Sequence, residues 1–183
     1  MALTENDPKP TGMQTVEIDG VNYNLNTDTK EASVVNPQRS FLNVDYSGDI
    51  TIPASIMYSD VNYKVTSIDG YAFGGCSGLA SIDIPDNVKT IGPNAFQNCS
   101  GLTSVSIPNS VTNIEPGVFE GCSGLISVTI PNNVTAIGAN AFRDCTSLTS
   151  VTIPNGVTSI GENAFAGCSG LTSITIPSSL TSI

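Results

Sequence analysis

Five cysteines constrain this chain more than any other feature, because each follows the last by 23 residues: Cys76, Cys99, Cys122, Cys145 and Cys168. Phenylalanines keep the same step at Phe73, Phe96, Phe119, Phe142 and Phe165. Prolines do so from Pro85 to Pro177, and leucines from Leu79 to Leu171. A fixed period of this length describes one supersecondary unit repeated, and such a unit cannot bury its apolar face alone. The units must therefore stack, each covering its neighbour, into an elongated solenoid.

The unit from Leu102 to Gly124 reads LTSVSIPNSVTNIEPGVFEGCSG. Val105 and Ile107 alternate with Ser104 and Ser106, which predicts a short half-buried strand. Pro108 ends it, since proline has no N–H to donate to a ladder. A second apolar pair follows, Val111 and Ile114, and then Val118-Phe119, where one helical or 3₁₀ turn is expected. Ser123-Gly124 turns the chain toward the next leucine.

The start of the array departs from this pattern. Val65, Ile68, Ala72 and Phe73 lie one period before Val88, Ile91, Ala95 and Phe96. The strand end Ile52-Pro53 stands too far ahead of Val65, so an insertion is read within residues 54–64. Before it, Thr15–Ile18, Val21–Leu25, Ala32–Val35 and Phe41–Tyr46 alternate like strands, with turn chemistry at Asp19-Gly20 and Asn26–Thr29. The expected organisation is a loose tail over residues 1–12, a β-hairpin or meander cap over 13–49, and the solenoid over 50–183. The last coil stops at Ile183, which occupies the Ile91 position. We therefore expect a longer natural chain, and an open end exposing Phe165, Leu171, Ile174, Ile176, Leu180 and Ile183 that would self-associate.

Composition excludes several classes of partner. Acidic residues number 16 against 6 basic ones, for a net charge of −10. Nucleic acid needs clustered Lys and Arg, and anionic membranes need the same. No apolar run approaches the roughly 18–20 residues of a membrane-spanning helix. The first residues lack the basic and apolar blocks of a signal peptide. Histidine is absent, which removes the usual base of Ser and Cys triads. The acidic residues Asp83, Asp86, Glu115, Glu120, Asp144 and Glu162 fall at scattered repeat positions, so no catalytic pair is assigned. Cysteines 23 residues apart do not converge as zinc ligands do, and we read them as buried, reduced thiols filling the core. No metal or cofactor is expected.

The motif L-x-x-[VI]-x-I-P-x-x-V-x-x-I-x-x-x-[AV]-F-x-x-C resembles the BspA-like subclass of leucine-rich repeats over residues 50–183. The segment from Asp19 to Val35 is similar to the caps that precede such arrays. The resemblance implies a mainly β solenoid with a short parallel sheet on one face. It also implies a surface or secreted bacterial protein, engaged in adhesion through protein or glycan contacts. A passive array that spaces another domain is the alternative, and no catalytic residues carry over.

Two surfaces are candidates for contact. The outward side of the strands presents Ser104, Ser106, Ser127, Thr129, Ser150 and Thr152, a neutral hydroxyl strip that either binds something polar and extended or keeps the sheet soluble. It lacks the Trp, Tyr and Arg of protein hot spots. Ile126 interrupts a row held by Thr103, Thr149 and Thr172. The inserted segment carries Tyr58, Asp60 and Tyr63, with the two tyrosines expected to be exposed, and insertions on repeat arrays often carry the interaction. Asn94, Asn140 and Asn163, each just before Ala-Phe, are expected to cap the short turn or bond neighbouring backbone.

Overall fold

In the computed structural model of the chain, residues 12–36 and 46–182 are described, and among them there are strands and turns but no helix. The tail read at residues 1–12 lies almost wholly outside them, as do most of the strand read at Phe41–Tyr46 and the terminal Ile183.

The chain enters as an antiparallel meander. Strands β1 (Met13–Ile18) and β2 (Val21–Asn26) pair from Met13↔Asn26 to Ile18↔Val21. Asp19 and Gly20 turn between them with φ of 50° and 78°, the left-handed pair that matches strand twist in a two-residue hairpin. Strand β3 (Glu31–Val34) pairs antiparallel with β2. After β4 (Gly48–Thr51), the insertion folds as a second hairpin of β5 (Ser55–Tyr58) and β6 (Val61–Ile68), turning at Ser59 and Asp60 with φ of 47° and 59°. β6 lies parallel to β3, so the hairpin completes the capping sheet in the order β1-β2-β3-β6-β5.

The remaining strands are short and parallel. β7 (Leu79–Asp83), β9 (Ser104–Ser106), β11 (Ser127–Thr129), β13 (Ser150–Thr152) and β15 (Ser173–Thr175) line one side. β8 (Thr90–Ile91), β10 (Asn113–Ile114), β12 (Ala136–Ile137) and β14 (Ser159–Ile160) line a second. Register is one whole coil throughout, as in Val128↔Val105 and Ile137↔Ile160. β4 pairs with β7 and β6 with β8, so the cap joins the first strand of each row, while β9 to β15 and β10 to β14 form ladders of their own.

The third side of each coil is a run of turns. The N–H groups of Asn94, Phe96 and Asn98 donate to the next coil, at Pro116, Val118 and Glu120, over 3.0, 2.9 and 2.7 Å. Those of Ala95, Gln97 and Cys99 close turns within their own coil. This alternation depends on left-handed residues four apart: φ is 57° at Asn94 and 60° at Asn98. A helix cannot propagate through such residues, which is why turns replace the helical turn expected at Val118-Phe119.

Inside, the phenylalanine rings stack along the array, with centroids 5.2 to 5.5 Å apart from Phe73 to Phe165. Tyr46 closes the stack at its N-terminal end, 5.0 Å from Phe73. Its hydroxyl oxygen accepts from both the backbone N–H and the Nδ2 of buried Asn22, each at 3.1 Å. All five cysteines are buried thiols, none in a disulfide. Four of them donate to the carbonyl of the phenylalanine 26 residues earlier: Cys99 to Phe73, Cys122 to Phe96, Cys145 to Phe119 and Cys168 to Phe142, at 3.0–3.1 Å. Each coil is thus tied to its predecessor through the core as well as along its sides.

Candidate functional site

A three-residue strand has one residue facing in and two facing out. In β9, β11 and β13 the buried residues are Val105, Val128 and Val151. The outward ones are therefore Ser104, Ser106, Ser127, Thr129, Ser150 and Thr152, and all six are exposed. The register places Ser104 beside Ser127 and Ser127 beside Ser150, with Ser106 beside Thr129. Ser173 and Thr175 continue both rows on β15. The result is a lattice of hydroxyls, spaced about 4.8 Å along the array and about 6.7 Å across it.

Most threonine hydroxyls of the rows that flank the strip are already used. Thr149 and Thr172 donate to the carbonyls of Ile126 and Thr149, and Thr135, Thr158 and Thr181 to those of Thr112, Thr135 and Thr158. Thr146 donates to Ser123. By contrast, among the described residues none of the six strip hydroxyls bonds a protein group. Their donors and lone pairs face solvent, available to a polar ligand.

The strip has distinct ends. On the cap side it meets carboxylates, for Asp49 and Asp83 lie in the same rows and the Ser81 hydroxyl donates to Asp49 at 2.5 Å. Midway, Ile126 is half exposed at 51% and supplies the one large apolar contact beside Ser127. In the last described coil, Ile174 and Ile176 are exposed, whereas the matching Val151 and Ile153 are buried beneath the next coil. Phe165, Leu171 and Leu180 are partly covered there.

The insertion does not expose its two tyrosines as expected from the sequence. Tyr63 is buried, at 1% exposure, because alternation in β6 turns Val61, Tyr63 and Val65 inward and Asn62 and Lys64 outward. The Lys30 ammonium stands 6.0 Å from its ring centroid. Tyr58 is half buried, and its hydroxyl accepts from Gln14 Nε2 at 2.9 Å, which ties β5 to β1. Only Asp60, at the hairpin tip, is exposed as expected. Met57 is exposed instead, at 62%.

Sequence reasoning passed over one aromatic. Tyr71 is 48% exposed and sits at φ 59°, the position held by Asn94, Gly117, Asn140 and Asn163 in later coils. A bulky residue is rare in that conformation. The asparagines are there for their backbone: Asn94 and Asn140 bond the next coil through their N–H groups, and among the described residues there is no helix for them to cap.

Three of the thiols are held away from reactivity. Burial pushes Cys145 up to about 12, with the neighbouring Cys168 adding to the shift. Cys122 is raised well above the ordinary thiol range, first by its contact with Cys99 and then by burial, and burial raises Cys168 too. A thiol kept protonated is a poor nucleophile and a poor metal ligand. Among the described residues no three His, Cys, Asp or Glu side chains are grouped to hold a metal ion.

Comparison with known proteins agrees with this geometry. The chain is 34% identical to a leucine-rich repeat protein from Bacteroides ovatus, over 90% of this chain and 42% of that one, with a TM-score of 0.78. It thus spans less than half the length of that relative. It is 26% identical to the leucine rich repeat protein of T. pallidum, over 90% and 72% of the two chains, with a TM-score of 0.76. A leucine rich cell surface protein from Faecalibacterium prausnitzii is 30% identical over 94% of this chain and 55% of its own, with a TM-score of 0.54. A comparison with curated proteins gives no match. The profile of the BspA type leucine rich repeat region matches in 6 copies, over residues 38–158 and 66–183, and by that coverage the chain belongs to the BspA type leucine-rich repeat family.

Proposed function

We propose that this chain is a non-catalytic interaction module displayed outside a bacterial cell, adhering to a protein or glycan through its hydroxyl strip. The observation that carries the reading is the contrast between two sets of hydroxyls. Most of those on the flanking rows are consumed by coil-to-coil bonds, while among the described residues the six on β9, β11 and β13 make none. A periodic lattice of unused donors and acceptors suits an extended, uncharged ligand whose polar groups recur along its length. The net charge of −10 disfavours polyanions such as nucleic acid. Support for a surface location comes from the Faecalibacterium relative, which is described as a cell surface protein.

A second reading is a passive spacer within a longer surface protein. The lack of any aromatic or arginine anchor on the strip favours it. A binding screen over matrix proteins and neutral polysaccharides separates the two. On the adhesion reading, one ligand binds saturably, and Ser127→Arg with Ser150→Arg weakens it at least about tenfold, or about 1.4 kcal/mol. Folding is unaffected, because both positions face solvent. Asp60→Lys at the hairpin tip leaves binding unchanged. If Asp60→Lys abolishes binding and the strip changes do not, the contact lies on the cap; if the unaltered chain binds nothing, the spacer reading stands.

A further inference from the structure

Asn155 and Gly156 form the exposed tip of a turn that the Val157 N–H closes onto the Pro154 carbonyl at 3.0 Å. The same turn occurs one and two coils earlier, at Asn132-Asn133 and Asn109-Ser110. In those coils the residue after the tip asparagine ties itself to the preceding coil. The Ser110 hydroxyl donates to the Val88 carbonyl, and Asn133 Nδ2 to the Asn109 carbonyl at 2.8 Å. Gly156 has no side chain to do so, and among the described residues its backbone N–H makes no hydrogen bond. Most other asparagines outside the strands precede an engaged amide: Val88, Ala95, Cys99, Val134, Ala141 and Ala164 all donate to carbonyls of their own coil.

From this arrangement we propose that Asn155 is a site of spontaneous covalent modification, deamidating through a cyclic imide formed with Gly156. The Gly156 nitrogen attacks Cγ of Asn155, a new N–Cγ bond forms, and the Cγ–Nδ2 bond breaks. The side-chain amide leaves as ammonia, taking the proton that the Gly156 nitrogen loses. One water then opens the ring at either carbonyl, giving aspartate or its β-linked isomer. Nothing is oxidised or reduced. Glycine favours the step because it has no Cβ to crowd the attack and reaches the backbone angles the ring requires. Ser110 and Asn133 have equally unengaged amides, but each carries a Cβ and a side chain anchored to the coil before.

Modification would add a carboxylate three residues after Thr152, at the rim of the hydroxyl strip. The β-linked form would also lengthen the turn by one backbone atom. The proposal is independent of what, if anything, the strip binds.

The test is incubation of the folded chain at neutral and mildly alkaline pH. Peptide fragmentation then locates converted asparagines, and an isoaspartyl methyltransferase serves as probe for the β-linked product. Asn155 should convert at least about tenfold faster than Asn109 and Asn132, owing to the glycine that follows it, and faster still at the higher pH. Gly156→Ser should bring Asn155 down to the rate of Asn109. A Cβ at position 156 would stand 2.8 Å from the Asn132 carbonyl, so that variant is paired with its converse, Ser110→Gly, which adds no atom and should raise Asn109 to the rate of Asn155. Conversion at Asn155 no faster than at Asn109, or unchanged in Gly156→Ser, overturns the proposal.

Discussion

At the scale of single residues, the repeat is held by backbone conformations that composition disguises. Position 98 of one coil reads Asn98, Gly121, Asp144 and Gly167 along the array, and every one has positive φ. The types look unrelated, which is why the sequence reading missed the position; asparagine, aspartate and glycine share tolerance of the left-handed region. A Cβ at Gly121 would also meet Asn98 Oδ1. Gly121→Ala should therefore cost about 1–2 kcal/mol, read as a shift in urea midpoint. A cost indistinguishable from zero would show that the turn relaxes freely. The cysteines, in contrast, were legible, because apolar packing at a strict period leaves little else for them to do. Their titration gives a sign. Burial raises the Cys145 thiol from 9.0 to about 12, so the folded state holds its proton where the unfolded chain has lost it. The stabilisation is complete below pH 9 and is lost as pH rises toward 12. Melting temperature should fall over that window, and the fall should be smaller in Cys145→Ala. An equal fall in both would assign the effect to other groups.

At the scale of elements, alternation located the strands of the meander and of the first row, whereas the two-residue strands of the second row are too short to alternate and went unread. The meander at β1–β3 follows from its turns and its apolar spacing. The insertion at 54–64 was visible as an offset in register, but its fate was not. Whether Val61, Tyr63 and Val65 face solvent or core depends on β3 lying alongside them, a pairing between residues about 33 positions apart. The phenylalanine stack makes a prediction of its own kind. Phe119 is fully buried between Phe96 and Phe142, with centroids 5.5 and 5.4 Å away. Phe119→Ala should cost about 3–5 kcal/mol. Hydrogen exchange should rise in the coils before and after it, across residues 79–101 and 125–147, because the ring covers both. Acceleration confined to the immediate neighbourhood of residue 119 would contradict coil-to-coil coupling through the stack.

At the scale of the whole molecule, stacking was dictated by the period, yet the candidate site was only half legible. Alternation alone showed which hydroxyls point outward. It could not show which of them the fold consumes, since Thr149 and Ser150 are adjacent and equally polar. The distinction arises because Thr149 lies over the Ile126 carbonyl of the coil before it, a three-dimensional relation. The same relation, repeated on three sides and through the thiols, bonds the coils from β9 to β15 to one another in nearly the same way. Among the described residues β7 does not pair with β9, nor β8 with β10, so the boundary between those two coils is held mainly by the turn side and the core. Pulled along its axis, such an array would part first at that boundary, and the coils beyond it would then yield one at a time. Each yielding coil would release 23 residues of contour, roughly 80 Å when extended. The force trace would be a staircase of equal steps, the array lengthening in fixed increments instead of snapping.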